Sequence, residues 1–219
     1  MPLATCNSPL YTYFMPYIIA GLGNPGEEYA DTRHNTGRVV LDAVAKAFDA
    51  EDFSFDKKMN ALVSKGKMGK EKVVFIEPET FMNNSGKALA SLVKVKNNAK
   101  QKLKTADSLV VIYDDFQLPI GRIKISYNRS SGGHNGLESV IKALKTEAFV
   151  RIRVGTAAEN AKGDAKVPHG DEKVMKFILG KYKDDEMKEL KKVSKKVAEA
   201  IEMIIKEGRE KAMSVFNAG

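Results

Sequence analysis

The stretch Thr32-Arg33-His34-Asn35-Thr36-Gly37 places a histidine in a polar loop between a strand and a helix. Asp114 and Asp115 end an apolar strand over Leu109–Tyr113, and strand ends are where α/β sheets place their sites. An imidazole held by a carboxylate is a general-base arrangement. The acid fixes the tautomer and stabilises the imidazolium, while the other ring nitrogen takes a proton from water or a hydroxyl. Spacing alone leaves open that His34 and Asp114 never touch. Asparagines recur at element junctions, in Gly23-Asn24-Pro25, Met82-Asn83-Asn84 and His134-Asn135-Gly136. Each could cap the helix that follows it. Their amides could equally hold a water and a peptide group without reacting, since each both donates and accepts.

Other chemistries have less support. Cys6 is the only cysteine, so a disulfide framework and a cysteine-rich metal site are excluded. No serine sits in a nucleophile elbow, which leaves covalent catalysis without its usual signature. His169 lies in a polar loop and is expected to be solvated. Gly21-Leu22-Gly23-Asn24-Pro25-Gly26 fits a dinucleotide-binding fingerprint. That reading needs a helix opening at the glycines, whereas Pro25 interrupts and helical periodicity begins near Val39. A tight turn that aims Asn24 into a cleft is the better expectation.

The elements that must position these residues follow from periodicity. Tyr17–Leu22 and Phe149–Gly155 read as buried strands, Arg122–Tyr127 as a half-exposed one, and Ala61–Lys67 with Lys72–Glu77 as a hairpin. Helices are expected over Ser85–Val95, capped by Asn83 or Asn84, and over Leu137–Lys145. A short helix capped by Asp171 should follow the loop Ala157–Gly170. A long amphipathic helix through Met187, Leu190, Val193, Val197, Ile201 and Ile205 should start at an Asp184 cap. Strands and helices alternate apart from one hairpin, which makes the fold class α/β: a single-domain sandwich with a central mixed twisted sheet flanked by helices and a C-terminal amphipathic helix.

The chain of 219 residues can bury a sizeable core. No apolar run reaches the roughly 18 residues that a membrane span needs, so a soluble, cytoplasmic protein is expected. Residues 1–15 read as a loose N-terminal extension, with Met15-Pro16 resembling an alternative start, and 16–219 as one domain. The net charge is +8, which suggests a polyanionic partner without naming it. Five lysines lie between Lys94 and Lys104, and seven basic residues against two acids between Arg122 and Arg153. The surplus is thus expected in the middle of the chain, among the motifs.

GLGNPGEEYADTRHNTG, EPETFMNNSG, VIYDDFQLPIG and SGGHNGL, in this order, closely resemble the bacterial-type peptidyl-tRNA hydrolases. The resemblance runs from about Tyr17 to the C-terminus. It implies a metal-free, cofactor-free monomer that cleaves the ester between a peptide and the 3′ ribose of tRNA. It further implies that His34 is the base and Asp114 its orienting partner. Asn24, Asn83 and Asn135 would position water and peptide, and Tyr29 would line the pocket near the terminal nucleotide. Lys124 and Arg153 would grip the 5′-phosphate at the acceptor stem. One position departs from the pattern: a lysine of that clamp falls at Ser126, with Arg129 nearby as a substitute. Two other readings are a non-catalytic RNA-binding relative, which the presence of both His34 and Asp114 argues against, and a dinucleotide-binding oxidoreductase, which lacks its motif context.

Overall fold

The computed structural model describes residues 16–98 and 103–218; the expected extension over 1–15 lies outside them. The described elements run β1 (Tyr17–Gly21), α1 (Thr36–Ala47), β2 (Ser54–Asp56), β3 (Ala61–Met68), β4 (Glu71–Pro78), α2 (Ser85–Ala90), β5 (Lys96–Asn98), β6 (Leu103–Pro119), β7 (Ile123–Tyr127), α3 (Asn135–Leu144), β8 (Ala148–Ala157), α4 (Asp171–Ile178), α5 (Asp184–Glu207) and α6 (Arg209–Phe216). They form a mixed sheet in the order β2-β3-β4-β1-β6-β8-β7, with β5 beside β6. The centre, β4-β1-β6-β8, is parallel, and the flanking pairs are antiparallel.

Alternation along the central strands sends side chains to two cores. Ile19, Val110, Ile112, Val150 and Ile152 pack under α1, α5 and α6. Ile18, Ala20, Leu109, Val111 and Phe149 pack under α2 and α3. The expected sandwich is present, and its long C-terminal amphipathic helix is α5, which buries Leu190, Val193, Val197 and Ile201. No described helix is long and apolar enough to cross a membrane.

The element boundaries differ where polar residues hide the pattern. The expected strand Leu109–Tyr113 belongs to the longer β6, whose ends carry Lys104, Asp107, Asp114 and Asp115. α1 opens at Thr36, not Val39, because Gly37 lets its first turn lie on the exit of β1. A Cβ at Gly37 would stand 2.4 Å from the Ile112 carbonyl oxygen and 2.5 Å from the Leu22 nitrogen. The expected helix Ser85–Val95 stops at Ala90. Asp171 and Asp184 are the first residues of α4 and α5, not their caps.

Charge is also distributed differently from expectation. Lys94, Lys96 and Lys104 gather at the β5 edge and the start of β6. Ten residues of strand, roughly 30 Å at 3.3 Å per residue, separate Lys104 from Asp114. Of the two basic stretches, only Arg122–Arg153 neighbours the strand ends that carry the histidine–aspartate motif.

Candidate active site

Asp114 faces Val154 near the end of the β6–β8 ladder, between the N-termini of helices from both layers. His34 arrives from a short 3-10 turn, Arg33–Asn35, that leads into α1. Its Nδ1 lies 3.0 Å from each Asp114 carboxylate oxygen, and both residues are buried. His34 is further fixed through its neighbours. Arg33 donates from Nη2 to both Glu186 carboxylate oxygens at 2.8 Å and from Nη1 to the Lys181 carbonyl, with its guanidinium over Phe177 and Tyr182. Thr36 donates to the Arg33 carbonyl and so accepts from the Tyr182 hydroxyl at 2.7 Å.

Sequence reasoning missed a third member of this group. His134 Nε2 lies 2.9 Å from Asp114 Oδ1. The Leu137 N–H donates to His134 Nδ1 at 3.2 Å, capping α3. That bond requires a lone pair on Nδ1, so the proton sits on Nε2 and points at Asp114. The helix therefore begins at Asn135 with a histidine cap, and the asparagine-cap expectation fails there. An asparagine side-chain cap is also absent at α2. The signal was available: His134 precedes a helix and follows two glycines, and a histidine nitrogen can cap as an asparagine oxygen does.

An ionised carboxylate only accepts, so both ring nitrogens facing Asp114 carry hydrogen, and His34 keeps a lone pair on Nε2. Burial by itself lowers the His34 pKa, but the Asp114 charge and hydrogen bond outweigh it, and the net shift is upward. Burial would raise the Asp114 pKa; the charge the two rings can carry and their hydrogen bonds reverse this and hold it well below the usual carboxylate range. The ligating atoms of His34, Asp114 and His134 lie within 4.8 Å of one another, close enough to share a metal ion. A metal on His134 Nε2 would displace the proton that the Leu137 bond places there, leaving a ring with no N–H at all. The donor set is thus wired for hydrogen bonding rather than ligation.

The asparagines meet around Met82. Asn24 Oδ1 accepts from the Met82 N–H at 2.8 Å, which leaves the amide hydrogens of Asn24 as donors. The Asn24 backbone is gripped by the Asn35 side chain through paired bonds of 2.8 and 2.9 Å. A Cβ on Gly136 would come within 2.3 Å of the Met82 sulfur, so the turns bearing Asn83 and Asn135 pack directly on each other. Both asparagines are exposed, and Asn83 accepts from the Asn84 amide at 3.2 Å. Tyr29 closes a 3-10 turn over Glu27–Tyr29 and is half-buried. Besides that turn, no helix opens at the Gly21–Gly26 glycines, which serve close approach and a reversal at Gly26 (φ 105°).

Lys124 lies directly across from Arg153, and Ser126 across from Arg151, on paired β7 and β8. Lys124 is exposed and has no ion pair among the described residues. Arg153 donates from Nε to Asp115 Oδ2 at 2.5 Å, so part of its donor set is already engaged. Arg151 is fully buried, reaches the Glu147 carbonyl at 3.0 Å and lies over Phe149. Arg129 is exposed on the adjoining turn, and His169 is exposed in its loop as expected.

A family model described as peptidyl-tRNA hydrolase matches residues 18–219. The chain is 41% identical to the peptidyl-tRNA hydrolase of Caldanaerobacter subterraneus subsp. tengcongensis, over 92% of this chain and 99% of that one. It is 39% identical to that of Geobacter sp. (strain M21), over 92% and 97%. A crystal structure of peptidyl-tRNA hydrolase from Acinetobacter baumannii superposes with a TM-score of 0.77 at 25% identity, covering 94% of this chain and 96% of the other.

Proposed function

The chain belongs to the peptidyl-tRNA hydrolase family and hydrolyses peptidyl-tRNA, and we propose that it does so with water activated by His34, whose ring Asp114 orients. The buried His34–Asp114 contact at 3.0 Å supports this reading above all. With Nδ1–H committed to Asp114, His34 Nε2 accepts a proton from water as the water attacks the ester carbonyl. The same nitrogen then holds the proton that the departing 3′ oxygen needs. Asp114 stabilises the imidazolium in between. The Asn24 amide hydrogens, with Asn83 and Asn135, bind the peptide group beside the ester and donate to the developing oxyanion. His134 supplies Asp114 with a second N–H donor and so keeps its charge in place without competing for the reacting proton. Tyr29 lines the end of the site that takes the terminal nucleotide.

The account of specificity is tested by presenting N-acylated and free aminoacyl-tRNA side by side. Uncharged amides suit a peptide group, and an ammonium would leave them unpaired. The N-acylated form should turn over much faster; comparable rates on both would sink this account.

The tRNA phosphates are held by Lys124 and the free donors of Arg153, with Arg129 standing in for the lysine absent at Ser126, and the protein acts as a monomer in the cytoplasm. Lys124 is the cleaner probe, because reversing Arg153 would also unpair Asp115. Lys124→Glu should weaken tRNA binding and lower the log–log salt slope by about 0.7–0.9 for one lost phosphate contact. Short N-acyl esters should be hydrolysed as before. Equal losses on tRNA and on the short esters would assign Lys124 to support of the catalytic group instead.

A further inference from the structure

A second, partly buried polar group lies behind the asparagine turn. Arg38, in the first turn of α1, donates from one guanidinium nitrogen to the Pro78 carbonyl at 3.2 Å. Its other terminal nitrogen lies 2.5 Å from Glu79 Oε1 and 3.1 Å from Glu77 Oε2. Its aliphatic stem covers Gly23 so closely that a Cβ there would stand 2.6 Å from Arg38 Cδ. Glu77 is buried, and its Oε1 has no hydrogen-bond partner.

These contacts join the three segments that build the site. Gly23 precedes Asn24, Arg38 follows His34 by four residues, and Glu77–Glu79 lead into Met82-Asn83. Asn24 is itself held between Asn35 and the Met82 N–H. Without the guanidinium, the exit of β4 beyond its ladder with β1 loses these ties and keeps the bond from the Met82 N–H to Asn24. We propose that Arg38, anchored by Glu77 and Glu79, is a positioning residue that sets the spacing between Asn24 and Asn83 and so governs turnover of the peptide-bearing ester.

The group is arranged to leave charge to spare for this role. Burial drives the Glu77 pKa up, and Asp42 and Glu79 add to the rise, while Arg38 opposes it; the result is about 8. At neutral pH Glu77 is thus largely protonated, and the arginine charge is directed chiefly at Glu79. Asp42 lies one turn along α1, with Lys46 a further turn on. A protonated Glu77 explains how two glutamates can share one guanidinium nitrogen, and the bond to Pro78 then fixes where that guanidinium points.

The inference rests on the proposed roles of the asparagines, and the experiment separates the two. kcat, KM and tRNA affinity are measured for Arg38→Met, which keeps the stem over Gly23 and removes the guanidinium. The expected result is a tenfold or greater loss in kcat, with tRNA affinity and the acid limb of the pH profile unchanged. Combined with Asn24→Ala, the loss should be less than multiplicative. A second variant, Arg38→Met with Glu77→Leu, removes the buried carboxyl along with its partner. It should recover thermal stability and still show the low kcat. Recovery of both would mean that Arg38 is only structural, and wild-type kcat in a stable Arg38→Met would overturn the proposal outright. If Asn24→Ala alone leaves kcat unchanged, it is the asparagine reading that fails.

Discussion

Replacing Asp114 with Asn is expected to lower kcat by about 10²–10⁴, the usual worth of general-base assistance, while leaving tRNA affinity nearly intact. Asp114 accepts from His34 Nδ1 and from His134 Nε2. An asparagine there must accept from both rings through one oxygen or turn its NH2 toward one of them. If it donates to His34, Nδ1 becomes the acceptor, the proton moves to Nε2, and the base is lost. The amide also cannot stabilise the imidazolium. His34→Ala should cost at least as much. The double variant should cost little more than either alone, because residues that act as one unit lose their effect together. Rapid-quench single-turnover measurements on N-acylated aminoacyl-tRNA isolate the chemical step. Losses that multiply in the double variant would show that the two residues act independently.

Gly37→Ala should be a severely damaging small change to the scaffold of the site. The new methyl would meet the Ile112 carbonyl and both backbone polar atoms of Leu22 within 2.5 Å. These are backbone atoms of central strands or of the bond between them, since Leu22 donates to the Ile112 carbonyl at 3.0 Å. They cannot swing aside as a side-chain tip would. Overpacking of this kind costs about 1–3 kcal/mol, which for a chain of this size lowers Tm by roughly 2–4 °C per kcal/mol. Relief requires α1 to lift, and α1 carries His34 at its N-terminal edge. Activity should therefore fall further than the folded fraction does. An unchanged Tm with full activity would contradict the close approach of α1 to β1.

The sequence showed the layout of the fold more readily than its junctions. The apolar run Tyr17–Leu22 and the strand Phe149–Gly155 were legible because burial there is nearly continuous, and the hairpin around Gly69 because a glycine turn separates its two strands. β6 was legible only at its centre, since its polar ends are paired in the ladder and carry function. The start of α1 was hidden because Thr36 and Gly37 have no helical preference, and their positions are set by packing on β1. For the site, His34 and Asp114 were visible as residue types in the right places, but their contact spans 80 residues and only the fold creates it. His134 was quoted within a motif and given no role. Its role depends on two partners, the Leu137 N–H and Asp114, that no local pattern connects. Arg38 drew no reading, and Glu77 was read only as the end of a strand, because a contact between layers leaves no periodic trace.

The pH dependence of kcat/KM in wild type and in Asp114→Asn tests the central claim most directly. Only unprotonated His34 can accept the proton from water, so the rate must rise as pH climbs through its pKa. In the wild type Asp114 raises that pKa against the effect of burial, so the rise should be centred above the ordinary histidine value of about 6.5. Without the carboxylate charge, burial acts alone and pulls the pKa down. The residual activity of Asp114→Asn should then reach its plateau at lower pH than the wild type. A limb at the same pH in both proteins would contradict the account, because the group that titrates in catalysis would not be the histidine that Asp114 holds.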